Sequence, residues 1–269
     1  MTAPPHRHRV GELRPSQILF TYGIGAIADL PSLSVMVMGL EGWNKSQTLE
    51  LSEERLLIAV RHELGSQVKD MRSPPMPPDT DAPFDPLDEA ARIGIPVAPF
   101  PTWMVCPKCR LLAPLQSGLF ELKTNAYRLN DARYVHKGCS GSRKPPTVIP
   151  SRFLVACEHG HLDDFPWHYF VHRGASDCNG PLRFEEYGVT GAATDIMVRC
   201  NGCDMPARRL SEAFGASGKE NMPRCRGRHP HIRSFDDDCP KQMRGMLLGA
   251  SNGWFGINRS ALSIPIASN

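Results

Sequence analysis

Between positions 200 and 239 the sequence spaces four cysteines in a way that narrows what the chain can fold into. Cys200 and Cys203 form a C-x2-C pair, Cys225 follows after 21 intervening residues, and Cys239 after 13 more. A C-x2-C turn brings two sulfurs to one side, and two later thiolates complete a tetrahedron, which is how structural zinc is held. Four thiolates leave no open position for water or substrate, so such a site stiffens a fold and does no chemistry. The spacing predicts Cys200, Cys203, Cys225 and Cys239 as one zinc site.

The rest of the composition agrees. The chain has nine cysteines, and its first residues carry no apolar stretch of the kind that directs export, so the expectation is a cytoplasmic protein with reduced thiols. In that setting metal explains the cysteines better than disulfides, and an odd count fits mixed Cys/His sites. No run of about 18 apolar residues is present to cross a membrane. With 25 prolines and 23 glycines, the expected fold is an irregular α+β arrangement of short, zinc-stapled β-hairpins with a few helices. The formal charge of +3 treats every cysteine as neutral; nine thiolates around three Zn2+ ions would bring it to zero. An argument for nucleic acid must therefore rest on local patches.

Three regions are expected: an N-terminal module over 1–73, a proline-rich arm over 74–101, and a zinc-binding region over 102–269. The first dozen residues, with His6 and His8, read as a flexible tail. Gly23-Ile-Gly25 has the start of a nucleotide-binding loop, but Ala28 stands at the third glycine position and the expected reading is a close-packed turn. Leu33 to Met38 predicts a buried strand. Ser52 is placed to cap a helix with an apolar stripe of Leu56, Leu57, Val60 and Leu64, closed by Gly65. Nine prolines between Pro74 and Pro101 rule out regular structure along the whole arm.

In the third region, Cys106 and Cys109 are expected to join His136 and Cys139 in a zinc ribbon around a hairpin from Leu119 to Tyr134, with Cys157 as an alternative to His136. Cys157, His161, His172 and Cys178 form a plausible third site, for which His159 or His168 could substitute. Pro166 suits the first turn of a helix that buries Trp167, Phe170 and Val171. Asp164 is placed to cap that helix, and Asp163 to orient a ligand histidine. A competing reading makes His161, Asp163 and Asp164 a hydrolytic metal centre of a nuclease or hydrolase. Thr194 to Arg199 predicts a strand, and Pro206 to Phe214 a short helix. No phosphate loop of the G-x4-G-K-[ST] type occurs, so the chain is not expected to hydrolyse ATP, and no catalytic residue is assigned. Basic residues beside the zinc sites, Arg208, Arg209, Arg226, Arg228, Arg143 and Lys144, are candidate nucleic-acid contacts.

Three stretches together resemble a known family: Arg14-Pro-Ser-Gln-Ile-Leu-Phe-Thr-Tyr-Gly-Ile-Gly, Arg152-Phe-Leu-Val-Ala-Cys-Glu-His-Gly-His-Leu-Asp-Asp-Phe-Pro-Trp, and Gly249-Ala-Ser-Asn-Gly-Trp-Phe with the later Ala-Leu-Ser-Ile-Pro. The chain is similar to the DrmB family, the helicase-associated subunits of the bacterial DISARM anti-phage defence system. The resemblance implies a DrmA-like helicase as partner, DNA as the shared target, and no catalytic centre of the chain's own. Members of that family are about twice this length. The remainder is expected either on a second polypeptide, which would be a further partner, or in a longer chain of which this is a fragment. A stand-alone nucleic-acid-binding zinc protein is the third class in play.

Overall fold

The computed structural model describes residues 8–78, 85–188, 191–251 and 253–262. The expectations for His6, for positions 79–84 of the arm and for the final Ser-Ile-Pro fall outside these residues. Helix α1 spans Pro15–Phe20, followed by strands β1 (Ile27–Leu30) and β2 (Leu33–Val37) and helix α2 (Glu54–Leu64). Strands β3 (Val97–Pro99), β4 (Trp103–Val105), β5 (Leu111–Pro114), β6 (Phe120–Lys123) and β7 (Arg133–His136) follow. Next come β8 (Ile149–Pro150), β9 (Phe153–Ala156), β10 (Leu162–Asp164) and α3 (Trp167–His172). The chain continues through β11 (Leu182–Glu186), β12 (Ile196–Cys200), β13 (Arg208–Arg209) and α4 (Gly215–Gly218). It ends with β14 (Arg228–His229), β15 (Ser234–Phe235) and β16 (Arg244–Leu247). The class is α+β, built from small antiparallel sheets, and none of the described sheets closes into a barrel.

Strand β2 is buried at every position because it is covered on both faces and paired on both edges. Alternation along a strand sends its residues to opposite sides. Leu33 and Val35 pack with Ala28 and Ala132, while Met36 packs with Phe100 and Leu154. The edge partner β3 comes from within the proline-rich arm, so the end of that arm is a strand of the first sheet. Gly23 and Gly25 make the expected close turn. A Cβ on Gly23 would lie 2.9 Å from the Trp254 ring, whose indole donates to the carbonyl of Ile24.

Two expected helices differ. Helix α2 starts at Glu54 without a cap from Ser52, because the chain is still extended there: the Leu51 amide bonds to the carbonyl of Met71. Its predicted stripe is not buried, although Gly65 does end it at φ 85°. The helix expected from Pro206 to Phe214 is replaced by β13 and a single 3-10 turn, Leu210–Ala213. Arg208 and Arg209 pair with Val198 and Met197, and sheet pairing overrides a weak helical preference.

The central sheet runs β13-β12-β11-β5-β4-β8, and β9 is flanked by β10 and β16 in a second sheet. Between them lies the largest core, with Phe153, Phe165, Trp167, Phe170, Phe184 and Ile196 among its members. Trp167, Phe170 and Val171 of α3 are buried as expected. All nine cysteines are free, and most sit at the margins of these sheets.

Candidate metal centres

The structure gathers all nine cysteines, with three histidines, into three sets. Within each set the candidate ligand atoms lie within 4.8 Å of one another. Cys106, Cys109, His136 and Cys139 form the first. It is local: β4 and β5 hold the first knuckle, and the β6–β7 hairpin delivers His136 next to it. This is the expected ribbon grouping, with the hairpin where the sequence places it. The Cys106 and Cys139 sulfurs are 3.7 Å apart, and His136 Nδ1 is 3.4 Å from Cys109 Sγ.

The other two sets regroup the remaining ligands. The structure does not bring Cys200 and Cys203 to Cys225 and Cys239, nor Cys157 and His161 to His172 and Cys178. The sets are instead Cys157, His161, Cys225 and Cys239, and His172, Cys178, Cys200 and Cys203. The cause is strand register. Antiparallel pairing of β11 with β12 puts Leu182 opposite Cys200, which draws Cys178 onto the Cys200 knuckle. Pairing of β16 with β9 puts Arg244 opposite Ala156, which returns Cys239 to Cys157. The second of these sets therefore lies wholly inside the sequence span of the first.

A tetrahedral ion with Zn–S bonds of about 2.3 Å and a Zn–N bond of about 2.1 Å holds two sulfurs about 3.8 Å apart, and a sulfur and nitrogen about 3.5 Å apart. The observed pairs fit: Cys157–Cys239 at 4.0 Å, Cys178–Cys200 at 3.6 Å, Cys157–His161 at 3.3 Å and Cys203–His172 at 3.4 Å. A disulfide needs about 2.05 Å, so these are ligand-like contacts and not bridges. The sets are compatible with zinc, each offering four donors and no open position.

The knuckles share a device that is visible in the sequence. Cys139, Cys178, Cys200 and Cys225 are each followed two residues later by glycine. The Gly202 amide donates to Cys200 Sγ at 3.3 Å and the Gly227 amide to Cys225 Sγ at 3.2 Å. Gly180 likewise donates to Cys178, and with the Cys200 sulfur nearby this lowers the Cys178 thiol to about 7. Burial pushes Cys225 up to about 12 and Cys109 up to about 11. Metal must displace those protons to bind.

The two enclosed histidines are oriented differently. His172 donates from Nδ1 to the carbonyl of His168 at 2.7 Å, leaving Nε2 toward Cys203. His161 turns Nδ1 toward Cys157 and Cys225, while Nε2 meets the Asp236 carboxylate at 2.8 Å. Burial opposes a charged imidazolium there, but Asp236 and the Cys157 and Cys239 sulfurs raise His161 to about 9. Asp236 also accepts from His229 at 3.0 Å, and both histidines hold its carboxyl below its ordinary value. Asp236 is thus the orienting carboxylate that the sequence reading assigned to Asp163; the signal was an acidic residue just ahead of Cys239.

Asp163 and Asp164 are occupied otherwise. Asp163 pairs with Arg226 at 2.7 Å and with Arg228, and Asp164 takes Arg228 at 2.9 Å and the Thr102 amide at 2.6 Å. Neither caps α3, whose N-cap is Pro166. Two carboxylates neutralised by arginine are poorly set to hold a hydrolytic metal. Among the expected nucleic-acid contacts, Arg208 is corrected: it is 3% exposed, bonded to Glu212 and the carbonyl of Phe170, and stacked on the Phe170 ring. Arg143, Lys144, Arg209 and Arg226 are exposed, and Arg228 is partly covered.

Comparison with known proteins places this arrangement. Over 172 residues, 64% of this chain, the sequence is 34% identical to the DISARM protein DrmB of Bacillus paralicheniformis (strain ATCC 9945a / NCIMB 11709 / CD-2). The match covers 29% of that relative, so this chain corresponds to less than a third of its length. Residues 14–255, which include all twelve candidate ligands, match the model of a family described as a domain of unknown function, and the protein belongs to that family, DUF8724.

Proposed function

We propose that the protein is a zinc-stapled, non-catalytic subunit of a bacterial DISARM anti-phage defence system. It works in the cytoplasm, docks on a DrmA-like helicase, and contributes contacts to DNA. The observation that carries this reading is the 34% identity to a DISARM protein over 172 residues of this chain. The closed donor sets support the non-catalytic part, because each set has four protein ligands and leaves no position for substrate. In this reading each of the three sets holds one Zn2+, Asp236 fixes the His161 ring, and Arg143, Lys144 and Arg209 face phosphate. Size-exclusion chromatography of the chain with the helicase, each also run alone, tests the adaptor role. A stoichiometric complex is expected; separate elution at micromolar concentration rejects docking by this chain.

A further inference from the structure

A groove of about 620 Å³ opens beside the outer ligand set, between α3, β10 and the β14–β15 hairpin. Its lining includes apolar and aromatic surface from Phe165, Trp167 and Met243, all buried. Among the described residues the buried Trp167 indole N–H has no acceptor, and a buried donor without a partner is costly. A second cavity of about 470 Å³ shares Thr102, Gln116, Arg228, Pro230 and Arg233 with the groove, so the two form one track.

Charge along the track is uneven. Four arginines, Arg224, Arg226, Arg228 and Arg233, line the groove against two aspartates, Asp163 and Asp164. Arg226 and Arg228 already neutralise those aspartates, which leaves Arg224 and Arg233 as positive charge facing solvent. Arg233 stands where the two cavities meet. Phe235, at 57% exposure, completes the rim, with the Arg226 guanidinium 5.6 Å from its ring centre. An exposed aromatic ring in a groove that also carries two unneutralised arginines fits a ligand with a flat ring and an attached phosphate.

We propose that this groove binds a nucleoside phosphate unit, with its base on Phe235 and its phosphate between Arg224 and Arg233. The unit is supplied either as a free nucleotide or by single-stranded nucleic acid, and the proposal rests on the nucleic-acid contact read above. Duplex stacking hides the base face, so the groove selects against paired strands.

Anisotropy of a labelled single strand of oligo(dT), and of a duplex of equal length, measures binding to the whole chain; dTMP and inorganic phosphate serve as competitors. Phe235, Arg224 and Arg233 are exposed, so their replacement leaves the core intact, and metal content checks this. Phe235→Ala should weaken single-strand binding about 10-fold. The double variant Arg224→Ala with Arg233→Ala should flatten the salt dependence by about 1.4 log units per log unit of salt. Efficient competition by dTMP identifies a free nucleotide as the source, and competition only by the strand identifies nucleic acid; both support the site. Phosphate competing as well as dTMP, or Phe235→Ala changing affinity less than twofold, overturns it. Equal binding of duplex with silent groove variants overturns the groove while leaving the DNA contact standing, and helicase co-elution is unaffected by either result.

Discussion

The ribbon set at 106–139 and the two enclosed sets at 157–239 use the same ligands, three cysteines and a histidine, yet they differ in what holds them. The ribbon is closed by neighbours in sequence, through one hairpin. The outer set is closed by pairing of the distant strands β9 and β16, and it encloses the inner set, which closes through the neighbouring strands β11 and β12. A local site can form whenever its hairpin forms, whereas an interleaved site requires the tertiary structure to be right first. An ion in the ribbon would secure a local unit, while an ion in the outer set would tie β9 and β10 to the segment carrying β14 and β15.

Replacing one ligand in each kind of site gives the largest contrast. A structural zinc site is worth about 10–16 kcal/mol in small peptides, so loss of a ligand releases more than a domain can spare. Cys225→Ser should lower metal content by one ion and remove hydrogen-exchange protection from both enclosed sets. Cys139→Ser should lose one ion but leave protection outside 106–139 largely intact. Equal, local losses in both variants would abolish the distinction. Next in size, Asp236→Asn should weaken metal at the outer set about 10–100-fold in chelator competition. His168→Ala should spare the inner set, because His172 is held by a main-chain carbonyl.

Gly180→Ala probes how tightly the inner knuckles meet. An added Cβ would stand 2.6 Å from Gly202 Cα and 2.8 Å from Cys200 Sγ, a contact only backbone movement relieves. A loss of about 1–3 kcal/mol in thermal melts is expected, with the ribbon unaffected. Acid release should show the smallest difference. His161, raised to about 9, prefers its proton throughout the neutral range, and lowering the pH strengthens that competition with metal. Cys178, lowered to about 7, offers thiolate near neutrality. On acidification the NMR signals of the His161 ring should therefore report metal leaving the outer set while metal analysis still counts an ion at the inner set; loss of both ions together would show that the proton balance does not set metal retention.

Much of this was legible because the chemistry is local. C-x2-C turns, the hairpin before His136, and the buried face of α3 follow from spacing within about 30 residues. The partition of Cys157, His161, His172, Cys178, Cys200, Cys203, Cys225 and Cys239 did not, since ligands arrive as pairs and spacing cannot say which pairs meet. That choice belongs to the β11–β12 and β9–β16 registers, where alternation of apolar residues marks a strand but not its neighbour. Arg208 misled for a related reason: a basic residue beside a metal site looks available until its carbonyl and carboxylate partners are known. The four Cys-x-Gly steps were the overlooked local signal, each supplying an amide to a cysteine sulfur.

Enclosure of one ligand set by another has a consequence for how the chain is made. Synthesis runs from the N-terminus at about 5–20 residues per second, so ligands become available in order. The ribbon is complete when Cys139 emerges. Cys157 and His161 then wait for Cys225 and Cys239, and before those appear His172, Cys178, Cys200 and Cys203 pass by. The tetrad Cys157, His161, His172 and Cys178 is chemically competent as soon as Cys178 is out, and capturing an ion there would lock the nascent chain in a wrong topology. The β11–β12 pairing sets Cys178 near Cys200 within a short stretch of chain, an arrangement that would compete with that capture. Were zinc to fill these sets, the order in which the ligands emerge would make metal supply during translation bear on the yield of folded protein.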